Sequence, residues 1–311
     1  MYLAEDISEK WNTKMTTVIL FGASGYIGQH LEQNMLARGW RVIKVTHREI
    51  HNYNYGLEFS ISERNVLETT ENLSKFIDGN SKIYAINVAG ITRPPQNSLD
   101  IQKIYAANSV YIFKIISLLR RLRVKYFINT GSYWQYDSDG LMRYESVYIR
   151  SKNITTTYLR DIADPDLRIC ELVLYDVFGL DDPRGKLLNR LKLLHADETI
   201  HLSSGKQEIC YVNIKDICSA YIHCVEKMKL FFDHTHFSLI PIVSKDVREL
   251  KDYIGQFLSY HPSKPSLKWG ERIDDTSSPQ KIWRSNIAWE LLEWTPQAPF
   301  EHYAKEFFNV Q

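Results

Sequence analysis

The sequence has no long hydrophobic run: no segment approaches the roughly 20 apolar residues that a helix needs to span a bilayer. Residues 1–14 mix acids, bases and Trp11, and they lack the apolar block of a signal peptide. These absences predict a cytoplasmic protein with no membrane partner.

An excess of charge of one sign is also absent. The 38 Lys and Arg residues nearly balance the 37 Asp and Glu residues, and the formal net charge is +1. Nucleic-acid-binding proteins carry a basic field that attracts phosphates. We therefore expect no nucleic acid among the partners of this chain.

Cysteine is scarce, and none of the four cysteines forms a CxxC pair. In a cytosolic chain they are expected to be reduced, and we interpret them as packing residues. His234 and His236 flank a single residue, but no third ligand is evident. Because a metal site needs three or four converging ligands, we predict none.

The first half of the chain alternates strand and helix patterns. Such alternation is typical of an α/β fold, here a Rossmann doubly wound parallel sheet with helices on both faces. The predicted strands cover residues 17–21, 41–46, 83–88, 124–130 and 168–174, and the predicted helices cover 25–38, 98–121, 147–162.

The second half has a looser pattern. Residues 205–212 favour a strand and 187–195 a helix, whereas 262–275 are irregular. Two further helices are predicted, 216–227 with Asp216 near its N-cap and another that Ser244 caps. We expect residues 1–177 to form the dinucleotide-binding domain after an N-terminal extension (1–15), and residues 178–311 a smaller C-terminal substrate-binding α/β lobe.

A glycine-rich turn follows the first predicted strand. Residues 22–28 read GASGYIG and lead directly into a helix pattern. Glycines let the backbone turn tightly and approach a pyrophosphate, while the helix N-terminus offers free N–H groups. We therefore expect this turn to bind a dinucleotide through Gly22, Ser24, Gly25, Tyr26, Ile27 and Gly28.

The end of the second predicted strand bears on the choice of dinucleotide. NAD enzymes usually place an acid there to hold the ribose 2′-hydroxyl. Here the sequence is Val-Thr-His-Arg over residues 45–48, with no carboxylate. Arg48 can pair with a 2′-phosphate in forked geometry, which favours NADP(H) over NAD(H), although a surface arginine is the alternative.

An acid–base pair is predicted on the helix over 147–162. Tyr148 and Lys152 are four residues apart and therefore share one helix face. A lysine ammonium beside a tyrosine lowers the pKa of the phenol, which can then exchange a proton with a substrate oxygen. Ser132, at the end of a strand, is positioned to bond the same oxygen, so Ser132, Tyr148 and Lys152 are the predicted catalytic residues.

These motifs, in this order, resemble the extended short-chain dehydrogenase/reductases, which are Rossmann enzymes acting mostly on nucleotide sugars. The resemblance includes the NVAG sequence at 87–90 and the segment LLEWTP at 291–296. It implies an NAD(P)-dependent oxidoreductase. It also implies further cofactor contacts from Asn87, Ala89, Gly90, Asn108, Tyr148 and Lys152.

Three segments are similar to nucleotide-sugar 4-ketoreductases of the CDP-abequose and CDP-paratose synthase type. They read TGSYWQY (130–136), LYDVFG (174–179) and DPRGKLL (182–188). This resemblance implies an NADPH-dependent reduction of the C4 ketone of a nucleotide-linked 4-keto-(3,6-di)deoxyhexose, for bacterial O-antigen lipopolysaccharide. The candidate substrate contacts are Trp134, Tyr136, Asp176, Arg184 and Lys186.

Two departures from the wider family narrow the expected activity. An Arg-Asp-Phe stretch that helps hold the diphosphate is replaced by Ile-Cys-Tyr over 209–211. Tyr133 and Trp134 stand where dehydratases carry an Asp-Glu pair, which a dehydratase needs to eliminate water. We therefore disfavour a dehydratase and expect the diphosphate contacts to come from elsewhere, with Arg184 and Lys186 as candidates.

Three other functions remain open. One is a nucleotide-sugar 4-epimerase with tightly bound NAD, another is a non-catalytic NAD(P)-sensing protein, and the third reduces a non-sugar ketone. Relatives often form a homodimer through the helices that here cover 98–121 and 147–162. The apolar face of the first is compatible with that homodimer, and burial within one subunit explains it equally well.

Overall fold

The structure is a computed structural model that describes residues 16–46, 58–60, 66–77, 82–230, 232 and 235–309. The strands in these ranges are β1 (Thr16–Phe21), β2 (Arg41–Thr46), β3 (Glu58–Ser60), β4 (Lys82–Asn87), β5 (Tyr126–Ser132), β6 (Arg168–Leu174), β7 (Asp176–Phe178), β8 (Thr199–His201), β9 (Glu208–Ile209), β10 (Tyr211–Asn213), β11 (Phe237–Ile242), β12 (Arg248–Glu249) and β13 (Ser266–Lys268).

The α-helices are α1 (Tyr26–Ala37), α2 (Val66–Ser74), α3 (Ser98–Tyr105), α4 (Tyr111–Arg121), α5 (Val147–Ile162), α6 (Leu187–Lys192), α7 (Ile214–Lys227), α8 (Leu250–Ser259), α9 (Ile287–Leu292) and α10 (Phe300–Phe307). A π-helical turn (Ala106–Val110) joins α3 to α4, and a one-turn 3-10 helix (Tyr133–Gln135) follows β5.

Within the described residues, seven strands form one sheet in the order β11-β6-β5-β4-β1-β2-β3. β1 pairs in parallel with β2 on one side and with β4 on the other, and the pairs β4–β5 and β2–β3 are also parallel. The predicted parallel sheet of a Rossmann fold is therefore confirmed. Because the strand order reverses between β1 and β4, the carboxyl ends of these strands form the usual ligand-binding crevice of such sheets.

The central strand β1 is apolar over residues 18–21, as expected for a parallel sheet with both faces covered. Val18, Ile19, Leu20 and Phe21 of β1 are completely buried. Side chains from α4 and α5 complete this core, among them Ile112, Ile115, Ile116, Leu119 and Leu159.

The chain divides into two compact units, each built from three separate segments. The first consists of Met1–Thr130, Ile154–Glu171 and Phe232–Ser238, and the second of Gly131–Asn153, Leu172–Phe231 and Leu239–Gln311. The second unit has its own aromatic-rich core, which includes Phe178, Tyr253, Phe257, Phe300 and Phe307. The domain boundary expected after residue 177 stays a prediction.

One predicted helix cap, Ser244, is wrong, whereas Asp216 lies near the N-cap of α7 as predicted. Asn213 caps α7, and its side chain accepts a hydrogen bond from the Lys215 N–H at 2.9 Å. Asp216 is a buried first-turn residue that accepts from the N–H of Gln297 at 2.8 Å. α8 begins at Leu250 with Glu249 at its N-cap, and the Ser244 hydroxyl accepts from the N–H of Asp246 at 2.9 Å.

Some short elements were not predicted. The region 262–275, expected to be irregular, contains β13, which pairs in parallel with β8. Three-residue strands are too short to show an alternating pattern, so sequence periodicity does not detect them.

Two further observations concern the cysteines and the hydropathy of the helices. All four cysteines are buried free thiols, namely Cys170, Cys210, Cys218 and Cys224. Within the described ranges, no helix is both long enough and apolar enough to cross a membrane.

Candidate active site

The glycine turn between β1 and α1 is packed so closely that two of its positions have no room for a side chain. Gly22 has a φ of +85°, and a Cβ atom there would lie 2.5 Å from the backbone nitrogen of Ala89. A Cβ atom on Gly28 would lie 2.1 Å from the carbonyl oxygen of Gly22. Both positions therefore require glycine, because the obstructing atoms are backbone.

The other residues of the turn differ in how far they are buried and in their place relative to the start of α1. Gly25 is the N-cap and provides no side-chain cap, so the first N–H groups of the helix remain available to an anion. Ser24 and Gly25 are exposed, and Ile27 is half-buried. Tyr26 is buried with its ring centroid 4.7 Å from that of His30.

The loop after β4 is clamped by Asn108. The Asn108 side chain accepts from the N–H of Ile91 at 2.8 Å and donates to the Ile91 carbonyl at 3.0 Å. Asn108 lies in the π-helical turn, and its own carbonyl accepts from the Thr155 hydroxyl at 2.5 Å. Asn108 thus fixes the end of the predicted cofactor loop, whose Gly90 is exposed.

Ser132 ends β5 and caps the 3-10 helix that follows. The Gln135 side chain accepts from the Ser132 N–H at 2.8 Å, while the Ser132 oxygen accepts from the Trp134 N–H at 3.4 Å. These reciprocal bonds form a capping box. The hydroxyl of a nearly buried serine is therefore held in place by its own backbone surroundings.

The Ser132 side chain lies near enough to the Tyr148 phenol to affect its pKa. Burial raises the pKa of Tyr148 above its ordinary value, the Ser132 side chain opposes this, and the negative charge of Asp176 adds to it. Lys152 follows one helical turn later and is buried. The expected net lowering of the Tyr148 pKa is wrong for this structure, because loss of solvent around the phenol outweighs stabilisation of its anion.

Asp176 and the aromatic residues beside Ser132 form one cluster. The Tyr133 hydroxyl donates to Asp176 at 2.7 Å, and its ring stacks on Tyr175 with centroids 5.0 Å apart. Trp134 is half-buried, whereas Tyr136 is buried with its ring centroid 5.4 Å from that of Trp283. Asp176 thus lies near the catalytic candidates, while the Tyr136 ring packs against Trp283.

The basic candidates for substrate binding differ in their settings. The Arg184 guanidinium donates to the buried Asp182 carboxylate at 2.7 Å and to the Val177 carbonyl at 3.3 Å. Lys186 is exposed at the N-cap of α6. Arg48 lies outside the described residues. Asp182 therefore orients the Arg184 guanidinium, whereas the exposed Lys186 is positioned through its place at the start of α6.

One polar group in the core was not anticipated from the sequence. Glu171 is completely buried in β6 and accepts hydrogen bonds from Asn129 and Thr156. The available signal was an acidic residue in the middle of a strand that is apolar on both sides of it, Arg-Ile-Cys-Glu-Leu-Val-Leu over 168–174. Such a carboxylate is costly to bury unless hydrogen bonds satisfy it.

Comparison with known proteins places these features in a family. The model of the "NAD dependent epimerase/dehydratase family" matches residues 18–238. CDP-abequose synthase of Yersinia pseudotuberculosis is 25% identical over 272 residues, which is 86% of this chain and 93% of the relative. CDP-abequose synthase of Salmonella muenchen is 25% identical over 76% of this chain and 77% of the relative.

Solved structures share the fold at lower sequence identity. UDP-glucose-4-epimerase from Stenotrophomonas maltophila, with bound NAD and formylated UDP-arabinopyranose, superposes with a TM-score of 0.77 at 13% identity. This match covers 94% of this chain and 97% of that chain. MoeE5 in complex with UDP-glucuronic acid and NAD gives 0.74 at 17% identity, over 94% and 98% of the two chains.

Proposed function

The chain belongs to the NAD dependent epimerase/dehydratase family, and from this premise we propose that it reduces the C4 ketone of a nucleotide-linked 4-keto-deoxyhexose with NADPH. The predicted enzyme class, an NAD(P)-dependent oxidoreductase, is confirmed by the family match. The observation that carries the finer proposal is the proximity of the Ser132 side chain to the Tyr148 phenol, one helical turn from the buried Lys152.

The glycine turn fits a dinucleotide on geometric grounds. At Gly22 and Gly28 a single Cβ atom would overlap backbone, so the strand, turn and helix approach each other as closely as a backbone permits. The uncapped start of α1 directs N–H groups toward whatever occupies the turn. We assign the pyrophosphate to these groups, and the loop of Asn87, Ala89 and Gly90 to the dinucleotide as well.

Each catalytic residue has a defined role in the proposed reduction. NADPH, when bound, supplies the hydride that adds to the C4 carbon of the sugar. The electron pair of the carbonyl bond moves to the oxygen, which takes the proton of the Tyr148 hydroxyl. Ser132 holds the reacting oxygen, and Lys152 stabilises the resulting tyrosinate and binds the cofactor ribose.

The direction of the pKa shift is consistent with reduction. Burial raises the pKa of the Tyr148 phenol, and a protonated phenol is what a ketone reduction consumes. An unshifted phenol is also protonated at neutral pH, so the preference for the ketoreductase over the epimerase rests on the relatives and on residues 45–48.

The substrate and cofactor assignments rest on relatives and on sequence. Two relatives named CDP-abequose synthase align over most of this chain, which supports a nucleotide-linked deoxyhexose. Trp134, Tyr136, Asp176, Arg184 and Lys186 are the proposed substrate contacts. NADPH is preferred over NADH because residues 45–48 carry Arg48 and no carboxylate.

The homodimer also remains a prediction. Five exposed large apolar side chains lie on the two helical segments named for it, namely Leu99, Ile101, Val110, Phe113 and Ile154. An exposed apolar surface of this kind is compatible with association of two copies.

The proposed function is tested by following absorbance at 340 nm with NADPH, then NADH, and freshly generated CDP-4-keto-3,6-dideoxyglucose. We expect loss of NADPH that depends on the substrate, and slower loss of NADH. No turnover, together with NAD already bound to the purified protein, would contradict the ketoreductase in favour of the epimerase. No turnover and no dinucleotide binding would contradict both the ketoreductase and the epimerase.

The charge of Asp176 is expected to set the pH range of the reaction. Because Asp176 raises the pKa of Tyr148, Asp176→Asn removes one cause of that rise. Activity in the reductive direction requires protonated Tyr148 and falls as pH rises through its pKa. The falling limb of the kcat profile should therefore move to lower pH in Asp176→Asn.

The matched measurement is the same profile for Asp182→Asn, a buried carboxylate that bonds Arg184 rather than the cluster around Tyr148. Its falling limb should stay at the wild-type pH. An unchanged limb in Asp176→Asn, or equal shifts in the two variants, would contradict the role of Asp176.

A further inference from the structure

We infer that Glu171 is a positioning residue for the cofactor, acting through a buried row of hydrogen bonds that orients the loop over residues 87–91. The inference rests on the proposed function, because it assigns that loop to dinucleotide binding. Glu171 accepts hydrogen bonds from Asn129 and Thr156, and Asn129 leads on to the loop. Its proposed action is therefore indirect.

The row begins at Glu171, which is completely buried in β6. One carboxylate oxygen accepts from the amide nitrogen of Asn129 at 2.7 Å. The other accepts from the hydroxyl of Thr156 on α5 at 2.6 Å. Two donors on different elements thus hold the carboxylate in one orientation.

The row continues across neighbouring strands to the loop. The side-chain oxygen of Asn129 on β5 accepts from the amide nitrogen of Asn87 on β4 at 2.9 Å. The side-chain oxygen of Asn87 then accepts from the backbone N–H of Ala89 at 3.1 Å. β6, β5 and β4 are adjacent in the sheet, and Asn87 pairs with Asn129 in register, so the row runs straight across three strands.

A carboxylate at one end gives every bond in this row its direction. A carboxylate only accepts, so Asn129 must present its NH2 group to Glu171 and its oxygen to Asn87. Asn87 must then present its NH2 group to Asn129 and its oxygen to Ala89. Reversing either amide would place two donors against each other inside the core, where an unmade hydrogen bond is costly.

The far end of the row lies against the glycine turn. The Ala89 nitrogen is the atom that a Cβ on Gly22 would meet at 2.5 Å. A displaced Ala89 therefore alters the space that the dinucleotide backbone must enter. An apolar side chain at position 171 would pack in the core without the cost of burying a carboxylate. The carboxylate is thus explained by the orientation that it imposes and not by stability.

The experiment measures the Kd of NADPH and of NAD by calorimetry, together with the Tm of each variant. Thr156→Val removes one donor to Glu171 without changing side-chain shape, and Glu171→Met removes the carboxylate. Glu171→Gln is the conservative variant, because its oxygen still accepts from Asn129 while its NH2 group donates to the Thr156 oxygen. Thr17→Val is the matched control, since Thr17 is as buried as Thr156 but lies near the opposite end of β1 from the turn.

We expect Glu171→Met to raise the cofactor Kd about tenfold and Thr156→Val about threefold, in line with the cost of unpaired buried polar groups. Glu171→Gln and Thr17→Val should keep the wild-type Kd. Binding is measured well below the Tm of every variant, so that a higher Kd reports positioning and not loss of folded protein. If Glu171→Met does not fold, the pair of threonine variants decides.

The experiment distinguishes failure of the inference alone, failure of both proposals and failure of the ketoreductase alone. Wild-type binding of a dinucleotide, with equal affinity in Thr156→Val and Thr17→Val, would overturn the inference and leave the proposed function untouched. Wild-type protein that binds neither NADPH nor NAD would overturn both. Wild-type protein that binds NADPH with the expected pattern of variants, but does not reduce the keto sugar, would support the inference and contradict the ketoreductase.

Discussion

Tyr148→Phe is expected to lower kcat about a thousandfold, the middle of the range by which a positioned acid accelerates proton transfer. The variant loses only the hydroxyl that donates the proton to the C4 oxygen. The phenyl ring keeps the packing of α5, so the Kd of NADPH should stay close to that of the wild type. The measurement is steady-state NADPH consumption together with cofactor calorimetry.

The control for this loss is Tyr144→Phe, four residues earlier in the chain. Tyr144 is 58% exposed, and its hydroxyl has only a weak contact with the sulfur of Met142 at 3.9 Å. Its removal should leave kcat unchanged. A Tyr148→Phe enzyme with more than about a tenth of wild-type kcat would show that another group supplies the proton, since such a loss is below the usual range for a catalytic acid.

Gly28→Ala is expected to weaken NADPH binding about a hundredfold, the upper end of what overpacking of a well-filled site usually costs. The new Cβ atom would lie 2.1 Å from the Gly22 oxygen and 2.7 Å from the Ala23 Cα. Both obstacles are backbone atoms, so the turn itself must move. That movement separates the first N–H groups of α1 from the position of the pyrophosphate.

Gly255→Ala provides the same substitution where space is free. Gly255 is exposed within α8, and a Cβ atom there would meet nothing within 4 Å. Alanine in a helix interior is about 0.5–1 kcal/mol more favourable than glycine, so this variant should raise the Tm slightly and bind NADPH normally. Normal NADPH affinity in Gly28→Ala would rule out the glycine turn as the phosphate site.

Long periodic segments were predictable from the sequence. The predicted helix 147–162 and strand 168–174 coincide with α5 and β6, since each contains enough residues to show its period clearly. The predicted helix 98–121 is one continuous helical segment, but its π-helical turn was not predicted. That turn depends on the bond from Thr155 to the Asn108 carbonyl, a contact between residues far apart in sequence.

The site was predictable where local motifs carry the chemistry. The glycine spacing and the Tyr148–Lys152 interval each lie within a single turn or helix, so both can be recognised in the sequence. The pKa shift of Tyr148 could not be foreseen, because it depends on burial and on Asp176, which arrives from β7. The row from Glu171 to Ala89 was missed for the same reason, since it joins three strands that only the sheet order makes adjacent.

The segmented make-up of the first compact unit has a consequence for protein synthesis. Residues Phe232–Ser238 belong to that unit, and the Ile169 N–H donates to the His236 carbonyl at 2.8 Å. At a ribosomal rate of roughly 5–20 residues per second, β6 emerges several seconds before β11 can cover its edge. During that interval the nascent chain exposes an unpaired strand edge, which is the kind of surface that invites aggregation and that chaperones cover. The glycine turn is thus made well before β11, the strand that covers this edge of the sheet that carries the turn.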